Sequence, residues 1–416
     1  MMKLPVRSFI AASSVAAARR PVKTTRLLCL AWLLAPLHLL LAASTTSEAA
    51  PFSTHVGDPV SVPAEIADHL VFVNVTVNGH GPFRVMVDTG CSVTLVSPEL
   101  AEAVGATDSD PEEDLVVAQN ALGNPTVVQR VILGSIDLGG VHFEGVLAAV
   151  SDTFDKLSAI HGRRVDGALG FPLFHDLFLG LDFPNHCVLL GNQWPANVPA
   201  IRATLPVVEH ADTPYVQVQV QGRPVDVMID TGANHGLHLT SDLASAFQWK
   251  VGPRVGPLVA AVGEMGREWI GRLAGSLLLG SIEQVEPTAV ISAGPPSLGL
   301  RSLESFCVIF HQSENMVWFC APGTAPQEPT AERSIGLSLY SEPGGWRVAG
   351  VIPGSPAEQA HVAAGALVTQ VQGRPAMNWT RDQMQQWIES HAEVALVVAS
   401  EAGERTLTLP VWNLVP

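Results

Sequence analysis

The chain has 416 residues and a formal net charge of −16. This length is enough for two or three domains, and the acidic surface argues against nucleic acid as a partner. The many Gly (36) and Pro (31) residues are typical of short strands joined by turns.

The first 50 residues are typical of a targeting segment. Four basic residues between positions 19 and 26 precede an apolar run at 27–43. That run is short for a membrane helix and has the length of a signal-peptide core. We therefore predict a signal peptide at 1–50 and an exported protein, periplasmic or secreted. The alternative is an uncleaved N-terminal anchor, which is the one route by which we expect contact with a membrane.

The tripeptide Asp-Thr-Gly occurs twice, at 88–90 and 230–232, each time after an apolar run. The segments 71–88 and 215–230 alternate apolar and polar residues and turn at a Gly, as β-hairpins do. Downstream, Leu169-Gly170 corresponds to Leu298-Gly299. The pattern predicts an internally duplicated all-β unit that carries one Asp in each copy. We place the two copies at residues 60–195 and 205–322.

This repeat resembles aspartic proteases of the pepsin and retropepsin type, over roughly residues 60–320. The resemblance implies two β-barrel lobes that place Asp88 and Asp230 side by side as a catalytic dyad. Two adjacent carboxylates share one proton and can act together as acid and base. Protein or peptide substrates would be hydrolysed by a water activated on this dyad. The resemblance implies no cofactor and no metal.

The same resemblance assigns supporting roles around the dyad. Threonines would hold the carboxylates across the lobe junction, glycines would allow close approach, and small polar side chains would hydrogen-bond each Asp. The residues are Thr89, Gly90, Ser92, Thr231, Gly232 and Asn234.

A mobile hairpin, or flap, should cover the dyad. Each copy contains a Gly-bearing segment between strand-like stretches, and the sequence leaves open which of them supplies the working flap. The candidates are Asn120, Leu122 and Gly123 in the first copy and Gly263, Met265 and Gly266 in the second.

Four cysteines follow the targeting segment: Cys91, Cys187, Cys307 and Cys320. Cys307 and Cys320 flank a predicted hairpin, where they would either form a disulfide or remain buried free thiols. The histidines at 235 and 238 are expected to have a surface or core role, since no spacing fits a zinc site.

After a linker at 323–332, residues 333–413 form a third predicted unit. Its turns Ser355-Pro356-Ala357 and Gly373-Arg374-Pro375 resemble those of a PDZ domain. PDZ domains bind a peptide as an added strand at a sheet edge. The resemblance implies a groove for a C-terminal peptide ligand, formed by Ile335, Gly336, Leu337 and Met384. The alternative is a β-rich appendage that packs on the lobes and binds nothing.

The sequence therefore predicts an all-β fold with two retropepsin-like lobes, followed by a PDZ-like domain with one or two helices. The favoured function is an exported aspartic endopeptidase whose PDZ-like module recruits substrates or regulates access. The alternative is a catalytically silent peptide-binding scaffold that acts through the PDZ-like domain.

Overall fold

The computed structural model describes residues 53–108, 115–119, 125–210, 212–261, 264–323, 327–401 and 403–416. Strands dominate these residues, which confirms the predicted all-β fold class. The predicted signal segment lies outside the described residues. Among the helices that are described, none is long and apolar enough to cross a membrane.

The first lobe is a ten-stranded sheet with two helices on it. Its elements are β1 (Ser53–His55), β2 (Val60–Pro63), β3 (Glu65–Ala67), β4 (Leu70–Val77), β5 (His80–Asp88), β6 (Thr94–Val96), α1 (Pro98–Ala103), β7 (Thr107–Asp108), β8 (Leu115–Gln119), β9 (Pro125–Leu138), β10 (Val141–Val150), α2 (Thr153–His161), β11 (Gly167–Gly170), β12 (Phe178–Asp182) and β13 (Cys187–Gly191). β2, β12 and β13 leave this sheet for the one between the lobes.

The second lobe repeats this plan with a ten-stranded sheet of its own. Its elements are β14 (Ile201–Pro206), β15 (Val208–His210), β16 (Thr213–Val220), β17 (Arg223–Ile229), β18 (Leu237–Thr240), α3 (Ser241–Ser245), β19 (Trp249–Ala261), β20 (Glu264–Leu273), β21 (Ser276–Leu279), β22 (Ile282–Val285), β23 (Thr288–Ser292), β24 (Ser297–Leu298), α4 (Leu300–Leu303), β25 (Cys307–His311) and β26 (Met316–Cys320). β14, β25 and β26 leave the ten-stranded sheet and belong to the sheet that joins the lobes.

The hairpins that lead to the two aspartates form where the sequence predicts them. β4 alternates buried valines with exposed polar residues in its second half, so one face enters the core. It turns into β5 at Asn78-Gly79, and β16 turns into β17 at Gln221-Gly222. All four turn residues have positive φ, between 50° and 76°, the backbone that a tight two-residue hairpin turn requires.

A six-stranded sheet joins the lobes, in the order β14-β26-β25-β12-β13-β2. At its centre β12 of the first lobe pairs antiparallel with β25 of the second, with Gly180 opposite Ile309. One continuous cluster of buried apolar side chains runs through both lobes. The lobes therefore share a core, which fixes the position of one against the other.

The C-terminal domain has its own core and a sheet in the order β28-β29-β30-β32-β33. Its elements are β27 (Glu332–Ser334), β28 (Leu337–Glu342), β29 (Gly345–Val351), α5 (Pro356–Gln359), β30 (Leu367–Val371), β31 (Arg374–Pro375), α6 (Arg381–Ser390), β32 (Glu393–Ser400), β33 (Gly403–Pro410) and β34 (Trp412–Val415). Thr380 and Gln383 cap α6 reciprocally.

The C-terminal domain packs directly on the second lobe. Ile270 and Val290 of that lobe form a buried cluster with Ile352, Leu414 and Val415. The described part of the linker is also held in place, because the Gln327 carbonyl accepts from the Val285 N–H at 2.9 Å.

Candidate active site

Each Asp-Thr-Gly triplet follows a strand of its lobe's main sheet. β5 ends at Asp88, and Asp230 comes directly after β17. A second strand supports each position. Gly170 of β11 pairs beside Asp88, and the Asp230 N–H donates to the carbonyl of Leu298 at 2.9 Å. Backbone pairing in both lobes therefore fixes the positions of the Cα atoms of Asp88 and Asp230.

The glycines of the two triplets leave room for the carboxylate of the opposite lobe. A Cβ atom on Gly90 would overlap the carboxylate of Asp230, and a Cβ atom on Gly232 would overlap that of Asp88. Each carboxylate thus packs against the backbone of the opposite lobe, where glycine alone leaves room. Both aspartates keep partial contact with solvent although protein surrounds them, as expected at the floor of a cleft.

Thr89 and Thr231 join the lobes next to these carboxylates. The Thr89 hydroxyl donates to the carbonyl of Ile229 at 2.6 Å, and the Thr231 hydroxyl donates to that of Val87 at 2.7 Å. Each hydroxyl oxygen also accepts from the other threonine's N–H at 3.1 Å. Both threonines are 0 % exposed, so these four bonds are shielded from water and hold the two backbone segments together.

The surroundings raise the pKa of both carboxyl groups. Burial is the main cause at Asp88 and at Asp230, because a charge is poorly solvated there. The charge of Asp88 raises the pKa of Asp230 further, to about 8. Hydrogen bonds from the Cys91 thiol (3.0 Å) and the Gly90 N–H (2.9 Å) oppose the rise in pKa at Asp88. The pair can therefore hold one proton near neutral pH, and the donors favour Asp88 as the ionised member.

The side chain that donates to Asp88 is Cys91, so the prediction that Ser92 would hydrogen-bond this carboxylate was wrong. The Cys91 N–H donates to the Asp88 carbonyl at 3.2 Å. This tight turn brings the thiol back to the carboxylate, while Ser92 is exposed. The residue directly after the triplet was the signal that sequence reasoning missed.

Asn234 also differs from its predicted role beside Asp230. Its side-chain amide points to the first lobe and donates to Asp68 Oδ2 at 3.5 Å. The N–H of Gly232 donates to Asp230 Oδ1 at 3.0 Å instead. Asn234 thus links the lobes beside the cleft and does not hold the second carboxylate.

Family models match two parts of the chain. Residues 73–173 match the model described as aspartyl protease, and residues 327–399 match the model for the PDZ domain. The chain carries an aspartyl protease domain and a PDZ domain. Both predicted resemblances are thereby confirmed. The protease match covers most of the first lobe, and the second lobe is its structural repeat.

Similarity to solved structures is distant. A retropepsin-like aspartic protease from Rickettsia conorii has 21% identity and a TM-score of 0.23, and the match covers 34% of this chain and 94% of that one. Basic 7S globulin from soybean has 14% identity and a TM-score of 0.39, with 65% of this chain and 95% of that one covered. No curated protein matches the chain.

In each lobe the flap candidates lie on or next to a pair of antiparallel strands. β8 pairs with β9 in the first lobe, and β19 pairs with β20 in the second. Met265 and Gly266 lie on β20, opposite residues 260 and 259. The remaining candidates lie outside the described residues: Asn120, Leu122, Gly123 and Gly263. The second hairpin contacts the PDZ domain, because the Leu258 N–H donates to Ser338 Oγ at 2.9 Å.

In the PDZ domain, the four predicted groove residues divide into two groups. Ile335 and Met384 are 2% and 4% exposed and belong to the domain core, so they underlie the groove and do not line it. Gly336 has a φ of +90°, and a Cβ there would collide with Ser355. Leu337 begins β28, one of the two edge strands of the sheet, and a peptide strand can be added at such an edge.

The remaining predicted side chains have structural partners. His238 Nδ1 donates to the Pro295 carbonyl at 2.6 Å, and His235 contacts Ser297 at 3.0 Å. Burial lowers the pKa of His235 to about 3. The cysteines at 307 and 320 face each other across β25 and β26 as buried free thiols. Within the described ranges, no three His, Cys, Asp or Glu side chains form a metal site.

Proposed function

We propose that the chain is an aspartic endopeptidase that hydrolyses peptide bonds with a water held between Asp88 and Asp230. The observation that carries this proposal is the mutual packing of each carboxylate on the glycine of the opposite triplet. This packing supports a site that the two acidic groups share, and their hydrogen-bond donors are unequal. Unequal surroundings are what separate an acid from a base in a pair of carboxyl groups.

The reaction follows from those unequal surroundings. Ionised Asp88 takes a proton from the water while the water oxygen attacks the carbon of the peptide carbonyl. Asp230 gives its proton to the carbonyl oxygen, so a neutral gem-diol forms and no oxyanion accumulates. In the second step the proton on Asp88 passes to the amide nitrogen and the C–N bond breaks. Asp230 regains its proton from a diol hydroxyl, which restores the pair.

The threonines at 89 and 231 hold the two carboxyl groups in position. The buried threonine bonds fix both backbones, and displacement of reacting groups by about 1 Å can cost about 100-fold in rate. For the PDZ domain we propose a binding role for polypeptide segments, because β28 stands at an edge of its sheet.

The test is cleavage of an unfolded protein by the purified chain. Asp88→Asn and Asp230→Asn, made separately, are each expected to lower the rate by about 10²–10⁴-fold or more, since each removes one acid–base partner. Asp226→Asn is the matched control, because Asp226 lies on β17, the strand that precedes the second triplet, and is exposed. Undiminished cleavage by either dyad variant would refute the mechanism. An inactive parent would refute the proposed function.

A further inference from the structure

The edge strand β28 of the PDZ domain is covered by the protease. Every residue of β28 is buried or half-buried, whereas most of β33, the strand at the other edge, is exposed. Helix α2 of the first lobe lies against β28. Gly162, which follows α2, faces Ser341, because a Cβ atom at position 162 would lie 3.7 Å from the Ser341 Cβ. An added polypeptide strand would lie about 4.8 Å from β28, so it competes with α2 for the space beside β28.

A polar contact at Asp68 helps to hold the first lobe against the PDZ domain. Arg381, the first residue of α6, pairs with Asp68 through Nε and Oδ2 at 2.7 Å. The Asp68 N–H also donates to Asp382 Oδ1 at 2.6 Å. The Arg381 side chain is 36% exposed, and ion pairs that water reaches contribute little to stability. The contact between the first lobe and the PDZ domain can therefore open while both units stay folded.

The second lobe holds the PDZ domain more firmly. A buried apolar cluster joins β20 and β23 to the C-terminal strand β34. Beside it Arg272, which is 2% exposed, donates to the main-chain oxygens of Pro416 at 2.7 Å and Thr330 at 2.5 Å. Separation here would return apolar surface to water and leave a buried guanidinium without these partners. The PDZ domain therefore stays on the second lobe when its contact with the first lobe opens.

The β19–β20 hairpin of the second lobe is attached to the PDZ domain and reaches the first lobe. The Leu258 N–H donates to Ser338 Oγ, and a Cβ atom on Gly350 would overlap the Leu258 side chain. β19 also contacts α2. Phe154 of α2 packs in the same apolar cluster as Cys91, which follows the first triplet. The hairpin therefore crosses from the second lobe to the first near one of the two catalytic loops.

We propose that the PDZ domain is an autoinhibitory latch, which holds the β19–β20 hairpin on α2 and limits the entry of substrate between the lobes. This inference rests on the proposed endopeptidase function. When the contact at Asp68 opens, the PDZ domain and the hairpin lift from α2 together. An extended polypeptide that binds at β28 favours this released form, because α2 covers β28 in the docked form. The two forms interchange, so the parent retains a lowered activity.

The first experiment locks the latch reversibly in the full chain. The double variant Gly162→Cys with Ser341→Cys would place two Cβ atoms 3.7 Å apart, which a disulfide can span. Mass spectrometry confirms the cross-link, and a thiol reductant removes it. The oxidised double variant is expected to cleave an unfolded protein about 5–150-fold more slowly than its reduced form. The two single variants, treated in the same way, control for strain at position 162 and for oxidation of other thiols, and neither should show this loss.

The second experiment opens the latch. Arg381→Gln removes the ion pair with Asp68, so kcat/KM should rise about 2–5-fold above the parent's. Hydrogen exchange followed by mass spectrometry should become faster in α2 and β28, and this measurement needs no catalytic activity. Arg374→Gln is the matched control, because Arg374 is an exposed arginine of the same domain that lies over the Trp379 ring. It should match the parent in both measurements.

The outcomes separate the latch from the endopeptidase itself. Equal cleavage by the cross-linked and reduced forms of the double variant would overturn the latch and leave the endopeptidase standing. Unchanged hydrogen exchange in Arg381→Gln would overturn it as well, and so would slower cleavage by that variant, since the contact would then support the active form. If no form of the protein cleaves the unfolded substrate, both proposals are overturned.

Discussion

Replacing Thr231 with valine tests whether the hydroxyl bonds between the lobes hold the dyad in place. Valine has nearly the shape of threonine, so packing is retained while the hydroxyl is lost. The Val87 carbonyl (2.7 Å) and the Thr89 N–H (3.1 Å) then lose their partner in a fully buried site. Each unpaired group costs about 1–3 kcal/mol. The free energy of unfolding should therefore fall by about 2–6 kcal/mol.

Thr231→Ser is the matched control, because serine keeps the hydroxyl and loses one methyl group, at a cost of about 1 kcal/mol. Urea unfolding measures the stability of both variants, and peptide hydrolysis measures kcat and KM. The valine variant should lose at least about 10-fold in kcat with little change in KM, because the carboxylates shift and the substrate pockets do not. If the valine variant is as stable and as active as the serine variant, the hydroxyl bonds do not position the dyad.

Two further predictions concern titration. Cys91→Ala removes a hydrogen-bond donor to ionised Asp88, so the pKa of Asp88 should rise. The acid limb of the pH–activity profile should then move to higher pH by about one pH unit. Cys91→Ser should keep the parent's profile, and identical acid limbs in the parent and both variants would contradict the role of the thiol. Burial raises the pKa of Glu268 on β20 to about 7. The folded protein should therefore lose stability as the pH rises from the pKa that Glu268 has in the unfolded chain to its pKa in the folded protein. Glu268→Gln should be more stable than the parent at pH 8 by about 1–3 kcal/mol and equal to it at pH 4, measured by urea unfolding; a gain at pH 4 would point to another cause.

The proposed chemistry and the proposed stability effects have a common origin. Burial raises the pKa of Asp88 and Asp230, which keeps a proton on the pair for catalysis. The same burial makes full ionisation of the pair unfavourable, so the folded state should weaken as pH rises through these pKa values. The carboxylates needed for the reaction therefore limit stability at alkaline pH, a cost often found at functional sites.

The local sequence pattern was enough to predict the strands that carry the two aspartates. Alternating polarity and Gly-bearing turns predicted the hairpins before both triplets, because burial on one face imposes a period of two. The duplicated triplet predicted that both aspartates belong to equivalent places in two lobes. The PDZ domain, which is confirmed, was likewise predicted from turns, and a turn is set by a few neighbouring residues.

Side-chain partners were harder to predict. Sequence reasoning chose Ser92 for its hydroxyl, but the turn after the first triplet directs Cys91 to the carboxylate. Ile335 and Met384 were expected to line the groove but lie in the core, because burial depends on what packs from the other side. The direction in which a side chain points and the depth at which it is buried depend on the assembled backbone, and the residue type alone does not encode them.

By itself, the amino-acid sequence determined the strands, the two aspartates and the order of the domains. Only the tertiary structure decided that Asp68, a turn residue with no distinctive sequence pattern around it, would contact both the second lobe and α6 of the PDZ domain. Its partners Asn234 and Arg381 are 166 and 313 positions away along the chain. Contacts at such separations arise when preformed units pack, and short-range patterns carry no information about that packing.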